Sequence, residues 1–186
     1  PGEYRRNAIL MYLFSVSLLV FNYDWVRESV GNFSNLPMYV AWAAVFLHAF
    51  VFAIPFALLG SCVHRFRDRF GLWWIWMIPA LQAAIEHVWP ALFPYTHGAL
   101  FYRTEIIWQW ASVFGATGVT YLIFLSNAAL SELYYRRLKP LETDGLKTKH
   151  FSIAGGIFIC VLGFGFWRHG HIESQLDSAP TIKVGL

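Results

Sequence analysis

The sequence predicts an all-α membrane protein, a polytopic bundle of about five transmembrane helices. Three observations carry that reading. Hydrophobic residues make up 57% of the 186 positions and charged residues only 13%. A soluble domain holds about 25% charged residues, so there is too little polar surface here to coat one. The apolar residues fall into runs near the roughly 20 helical residues that cross about 30 Å of hydrocarbon. The basic residues lie between those runs and are unevenly shared between the two sides. The net charge of +3 therefore reflects membrane topology, and nucleic acid is excluded as a partner.

The first run, residues 8–26, is apolar nearly all round from Ile9 to Phe21, which favours a span over a surface helix. A polar link at residues 27–35 comes next. The second run, 37–63, has no formal charge; Pro55 predicts a kink, and His48 reads as a neutral, hydrogen-bonded interior histidine. Residues 64–69 (HRFRDR) read as a basic loop. The third run, 72–92, opens with Trp73, Trp74 and Trp76, which suit an interface. The fourth, 106–130, carries Ala111, Ser112, Gly115, Ala116, Gly118 and Thr120, small residues that let helices approach closely. Residues 134–150 read as a second basic loop, 151–167 as the fifth span and 168–180 as a linker.

Sidedness comes from the positive-inside rule. Arg5, Arg6, Arg65, Arg67, Arg69, Arg136, Arg137, Lys139, Lys147 and Lys149 fall on one side of such a bundle. Only Arg27, Arg103, Arg168 and Lys183 fall on the other. The first side, with the N-terminus, is therefore cytoplasmic, and the turn at 93–105 and the C-terminus lie outside.

Motifs are sparse. Glu86 stands in an apolar run, where a carboxylate costs about 2.5–3.5 kcal/mol and turns toward protein or a water-filled cavity. Two roles stay open for it: a functional one, binding a lipid headgroup amine, orienting a loop or carrying a proton, or a structural one, a capped carboxylate near the outer boundary paired to Arg103 or a Trp N–H. His87 adjoins it, but neighbours at i, i+1 on a helix do not face each other. Phe93-Pro94-Tyr95 forms a Pro-punctuated turn, with Gly98 allowing a tight bend; Trp108 and Trp110 lie nearby. This aromatic surface is a candidate for lipid or substrate access, or a plain interfacial belt. His169-Gly170-His171 lacks a third metal ligand, and Gly163-x-Gly165 lacks the rest of a dinucleotide fingerprint. Cys62 and Cys160 read as structural thiols at different depths. No metal or cofactor is expected.

Pro79-Ala80-Leu81, Glu86, then Phe93-Pro94-Tyr95, then Gly118-Val119 and Asn127, resemble in order and spacing the apolipoprotein N-acyltransferase family. Tyr95 departs from the family's usual Trp. Ala179-Pro180-Thr181-Ile182-Lys183-Val184 is similar to the linker and first strand of that family's nitrilase-like α/β domain. The resemblance implies an inner-membrane enzyme of bacteria, with a phospholipid acyl donor and a diacylated lipoprotein acceptor as partners. It implies a Glu, Lys and Cys active site in the extracytoplasmic domain, so none of residues 1–186 is catalytic. It also implies a fragment, cut at both ends and inactive alone, with 181–186 opening the missing domain. The alternative reading is a non-enzymatic membrane module such as a transporter half or an assembly scaffold.

Overall fold

A computed structural model describes residues 2–34, 36–89, 96–138 and 146–177. Every regular element among them is helical: α1 (Gly2–Asn22), α2 (Asp24–Phe33), α3 (Met38–Phe52), α4 (Ile54–Phe70), α5 (Trp74–Val88), α6 (Glu105–Trp108), α7 (Ala111–Leu138) and α8 (Leu146–Asp177). Short 3-10 turns occupy Gly71–Trp73 and His97–Phe101. The expected strand at 181–186 lies outside the described residues. The chain forms two units, residues 1–81 with 88–93, and residues 82–87 with 94–186.

In the first unit α1 runs antiparallel to α3 and α4. Tyr4 meets His64 and Asp68 at one end, and Tyr23 meets His48 at the other. Between them, Gly60 lies so close to α1 that a Cβ there would sit 2.8 Å from Met11 Cγ and 2.9 Å from the Asn7 carbonyl oxygen. Small residues drive such packing, because hydrocarbon supplies no hydrophobic force between helices. α3 shows both of its faces clearly. Ala41, Val45 and Ala49 form a buried i, i+4 stripe, while Trp42, Phe46 and Phe50 stack along an exposed one. Large side chains outside and small ones inside is the pattern of a helix in lipid.

In the second unit α7 buries a stripe running through Val119, Leu122, Leu125, Ala129 and Glu132. α6 lies against α8 where Gly165 admits it; a Cβ on Gly165 would fall 2.1 Å from the Ile106 carbonyl oxygen. Trp110 packs on Phe114 and edge-on to Phe164.

Among the described residues, three helical stretches are long and apolar enough to cross a membrane: Met38–Val88, Ala111–Leu138 and Lys149–Gln175. The pair Tyr4–Asn22 and Asp24–Phe33, bent by 42°, makes a fourth if it is one broken span. Five separate spans with the expected bounds are not found among the described residues. Most of the second and third expected runs falls within one 51-residue stretch, Met38–Val88. Residues 64–69, expected as a loop, are the last turns of α4. They contain neither Pro nor Gly, and the His64–Asp68 pair at 3.5 Å has helical i, i+4 spacing. The break comes instead at Gly71, whose φ of 53° suits glycine.

The second basic stretch is likewise helical at 134–138 and again from Leu146, and residues 139–145 lie outside the described residues. Residues 168–177, expected as linker, continue α8. They too lack proline, and His169–Glu173 and His171–Gln175 face each other at i, i+4. The fourth run starts later than expected. Residues 105–108 form the separate α6, and Gly115 (φ 67°, ψ −179°) interrupts α7. Pro55 sits in the first turn of α4, and the helix divides at Ala53 as its missing N–H requires.

Candidate functional site

Glu86 is held by a closed circuit of hydrogen bonds within the second unit. It stands on α5 one turn after Gln82, and its side chain is only 7% exposed. Oε1 accepts from the His97 backbone N–H at 3.2 Å, from the His97 ring at Nδ1, and from Gln82 Nε2 at 3.4 Å. Oε2 accepts from the Thr120 hydroxyl at 2.8 Å. Thr120 Oγ1 accepts in turn from the Gly98 N–H at 2.8 Å. The circuit thus returns to the residue next to His97.

Local chemistry explains each member. The first N–H groups of a helical turn lack partners within it. Thr96, which precedes the His97–Phe101 turn, makes no side-chain cap. Glu86 takes the His97 N–H instead, and Thr120 takes that of Gly98. Gly98 is required because the turn lies directly on α7; a Cβ would come 2.0 Å from the Ala116 carbonyl oxygen. Thr120 is fully buried, and the His97 ring stands edge-on to Phe124 at 5.3 Å. A buried carboxylate with several donors costs far less than a bare one.

Among the described residues the circuit holds neither a thiol nor a second acid. Its visible product is the placement of the His97–Phe101 turn and of the two residues after it. Leu100 is 62% exposed and Tyr102 58% exposed, and Arg103 stands beside them. Arg103 Nε donates to the Tyr102 hydroxyl at 2.8 Å, and its guanidinium lies 5.5 Å from the centre of that ring.

The expected site residues fall into three groups. Glu86 is buried, paired to His97 rather than to Arg103 or a Trp N–H, while His87 faces outward. Phe93, Pro94 and Tyr95 lie outside the described residues. Trp108 and Trp110 are half-buried, so the exposed side chains here are Leu100 and Tyr102. His97, Thr120 and Arg103 were not among the expected site residues. The signals for them were thin: a histidine beside a glycine, a threonine two residues past Gly118, and the one Lys or Arg between positions 70 and 135.

The remaining polar candidates have structural surroundings. His48 stacks between Phe52 and Tyr23, and among the described residues its buried Nε2 has no hydrogen-bond partner, where a hydrogen-bonded histidine was expected. His169 pairs with Glu105 and Glu173, both at 3.4 Å, whereas His171 stacks on Trp167. Gly165 of the Gly163-x-Gly165 pair serves the close approach of α6.

Residues 2–129 match the family described as apolipoprotein N-acyltransferase N-terminal domain. Three curated proteins are similar over longer or shorter stretches. Apolipoprotein N-acyltransferase of Haemophilus ducreyi is 26% identical over 187 residues, covering 98% of this chain and 34% of that protein. Apolipoprotein N-acyltransferase 1 of Leptospira interrogans serovar Lai is 26% identical over 183 residues, 94% of this chain and 30% of that protein. Apolipoprotein N-acyltransferase 2 of serovar copenhageni is 22% identical over 129 residues, 69% of this chain and 22% of that protein. The chain therefore spans about a fifth to a third of the length of these relatives. No solved structure matches it significantly.

Proposed function

The chain belongs to the apolipoprotein N-acyltransferase N-terminal domain family, and from that premise we propose that it is the membrane portion of such an enzyme. The parent protein moves an acyl chain from a phospholipid to the N-terminal amine of a diacylglyceryl-cysteine lipoprotein. The observation that carries this reading is the family match over residues 2–129, joined to relatives that bear the name.

The chemistry divides into two steps. A cysteine thiolate attacks the ester carbonyl of the phospholipid, forming a thioester and releasing a lysophospholipid. The lipoprotein amine then attacks the thioester, forming the amide and returning the thiol. The nucleophile, its Glu base and a Lys belong to a nitrilase-like part of the protein outside residues 1–186. Cys62 lies on α4 and Cys160 faces outward on α8, and neither is that nucleophile. The chain's own task is to hold the protein in the bilayer and bring lipid to the outer boundary, where Glu86, Phe93, Pro94, Tyr95, Trp108 and Trp110 gather in the sequence.

The membrane is the bacterial inner membrane, crossed five times, with the N-terminus in the cytoplasm and the C-terminal end outside. Support comes from length and charge. The Met38–Val88 stretch would extend about 76 Å as one straight helix, more than twice a bilayer's hydrocarbon, so it crosses twice. In the first unit, Tyr4 lies against His64, Arg65 and Asp68, gathering Arg5, Arg6, Arg65, Arg67 and Arg69 at one end of the α1–α4 pair. The opposite end holds Arg27, already bonded to Asp24 at 2.6 Å.

The test is the first half-reaction. A longer protein containing these residues should release lysophospholipid in one equivalent per enzyme when no acceptor is present. Residues 1–186 alone should release none. Release by residues 1–186, or its absence from the longer protein, contradicts the reading.

A further inference from the structure

Arg103 stands out by its isolation. It is the one Lys or Arg between positions 70 and 135, it is exposed, and among the described residues no carboxylate pairs with it. Its Nε is occupied by the Tyr102 hydroxyl, and the ring beneath fixes the plane of the guanidinium. Among the described residues nothing takes the two terminal nitrogens, which form a fork whose geometry matches a phosphate bidentately. Leu100 and Tyr102 expose apolar surface on the same turn. A fixed guanidinium beside a protruding leucine and an aromatic ring suits a molecule with a phosphate at one end and hydrocarbon next to it.

The rigidity of this turn comes from below. Glu86 and Thr120 bind the N–H groups of His97 and Gly98, and Gly98 rests on the Ala116 carbonyl. Neutralising Glu86 alone would have needed no such circuit, since an arginine partner would suffice. Instead, apart from Gln82 on its own helix, the donors come from the turn or from α7 under it, so the carboxylate works as a template for residues 97–103.

We propose that residues 100–103 form a phospholipid seat, with Arg103 taking the phosphate and Leu100 and Tyr102 the adjoining hydrocarbon, and that Glu86 is its positioning residue, acting through His97 and Thr120. This rests on the membrane-portion reading above and adds to it a defined lipid contact. No bond is made or broken at the seat.

The experiment uses the longest available form of the protein in lipid nanodiscs, with a photoactivatable phosphatidylglycerol as probe. Crosslinks should map to residues 97–103. Arg103→Gln should lower their yield roughly tenfold, the size of one lost charge-assisted contact, and Arg103→Lys should recover part of it. A photoactivatable diacylglycerol without phosphate should label the turn weakly and be indifferent to Arg103→Gln. Inorganic phosphate at millimolar concentration should not compete, since it lacks the hydrocarbon; full competition would make the site a phosphate site and overturn the lipid assignment. Thr120→Val, close in shape but without the hydroxyl, should reduce labelling as Arg103→Gln does, whereas Thr120→Ser should restore it. In the acyl-transfer assay Arg103→Gln should raise the KM for phospholipid roughly tenfold with kcat within about twofold. Unchanged crosslinking in Arg103→Gln overturns the seat, and unchanged crosslinking in Thr120→Val overturns the positioning role. A protein that crosslinks as expected but releases no lysophospholipid would fail the enzymatic reading while leaving the seat standing.

Discussion

Replacing Gly98 by alanine probes the contact on which the candidate site rests. The added Cβ would lie 2.0 Å from the Ala116 carbonyl oxygen, 2.9 Å from its carbon and 3.0 Å from the Thr120 nitrogen. All three atoms are backbone of α7, so no side chain can swing away. A carbon–oxygen contact relaxes only near about 3.3 Å, so the turn must retreat by about 1.3 Å. That retreat breaks the 2.8 Å bond from Gly98 to Thr120 and stretches the 3.2 Å bond from His97 to Glu86. Overpacking costs about 1–3 kcal/mol, and the two bonds add roughly 1 kcal/mol each. A total of about 3–5 kcal/mol corresponds to a Tm lower by roughly 6–20 °C for a chain of this size. Thermal unfolding in detergent, followed by tryptophan fluorescence, measures it. Gly155→Ala is the control: that helical glycine has open space, so alanine should be neutral or stabilising by about 0.5–1 kcal/mol. A Gly98→Ala protein melting with its parent would refute the close approach and the clamp built on it.

Other contacts carry further outcomes. Gly165→Ala should separate α6 from α8, because its Cβ would sit 2.1 Å from the Ile106 oxygen; a loss of about 1–3 kcal/mol is expected, read as a lower Tm and faster proteolysis near Trp110. Arg136→Met removes the 2.9 Å bond to Glu132, whose side chain is 4% exposed, and should cost about 1.5–3 kcal/mol in chemical unfolding. A further change of Glu132→Gln should recover part of it. Single cysteines at Asp68 and Thr104 should react with an impermeant maleimide from the cytoplasmic and the outer side respectively, and outside labelling of position 68 would reverse the proposed orientation.

The membrane character, the helical class and the turning of Glu86 toward protein were legible because each depends on local sequence. Low charge, long apolar runs and one carboxylate among them need no tertiary information. Helix ends were legible where a breaker marks them, as at Pro55. They were misread where polarity stood in for a breaker. Residues 64–69 and 168–177 look like loops by charge, yet without Pro they remain helical, and pairs such as His64–Asp68 and His169–Glu173 face each other along them. Gly71 and Gly115, with φ of 53° and 67°, mark the true interruptions. The partners of Glu86 could not be read in advance. His97 and Thr120 lie 11 and 34 residues away, and only the folding of the turn onto α7 brings them to one carboxylate.

The central claim is that this chain serves an enzyme that acylates a lipoprotein amine, and the mass of the acceptor tests it most directly. A longer protein containing residues 1–186, supplied with phospholipid and a synthetic diacylglyceryl-cysteine peptide, should yield a peptide heavier by one acyl chain and blocked at its α-amine. An acceptor recovered unchanged, with its amine still free after extended incubation with folded protein, would contradict the account.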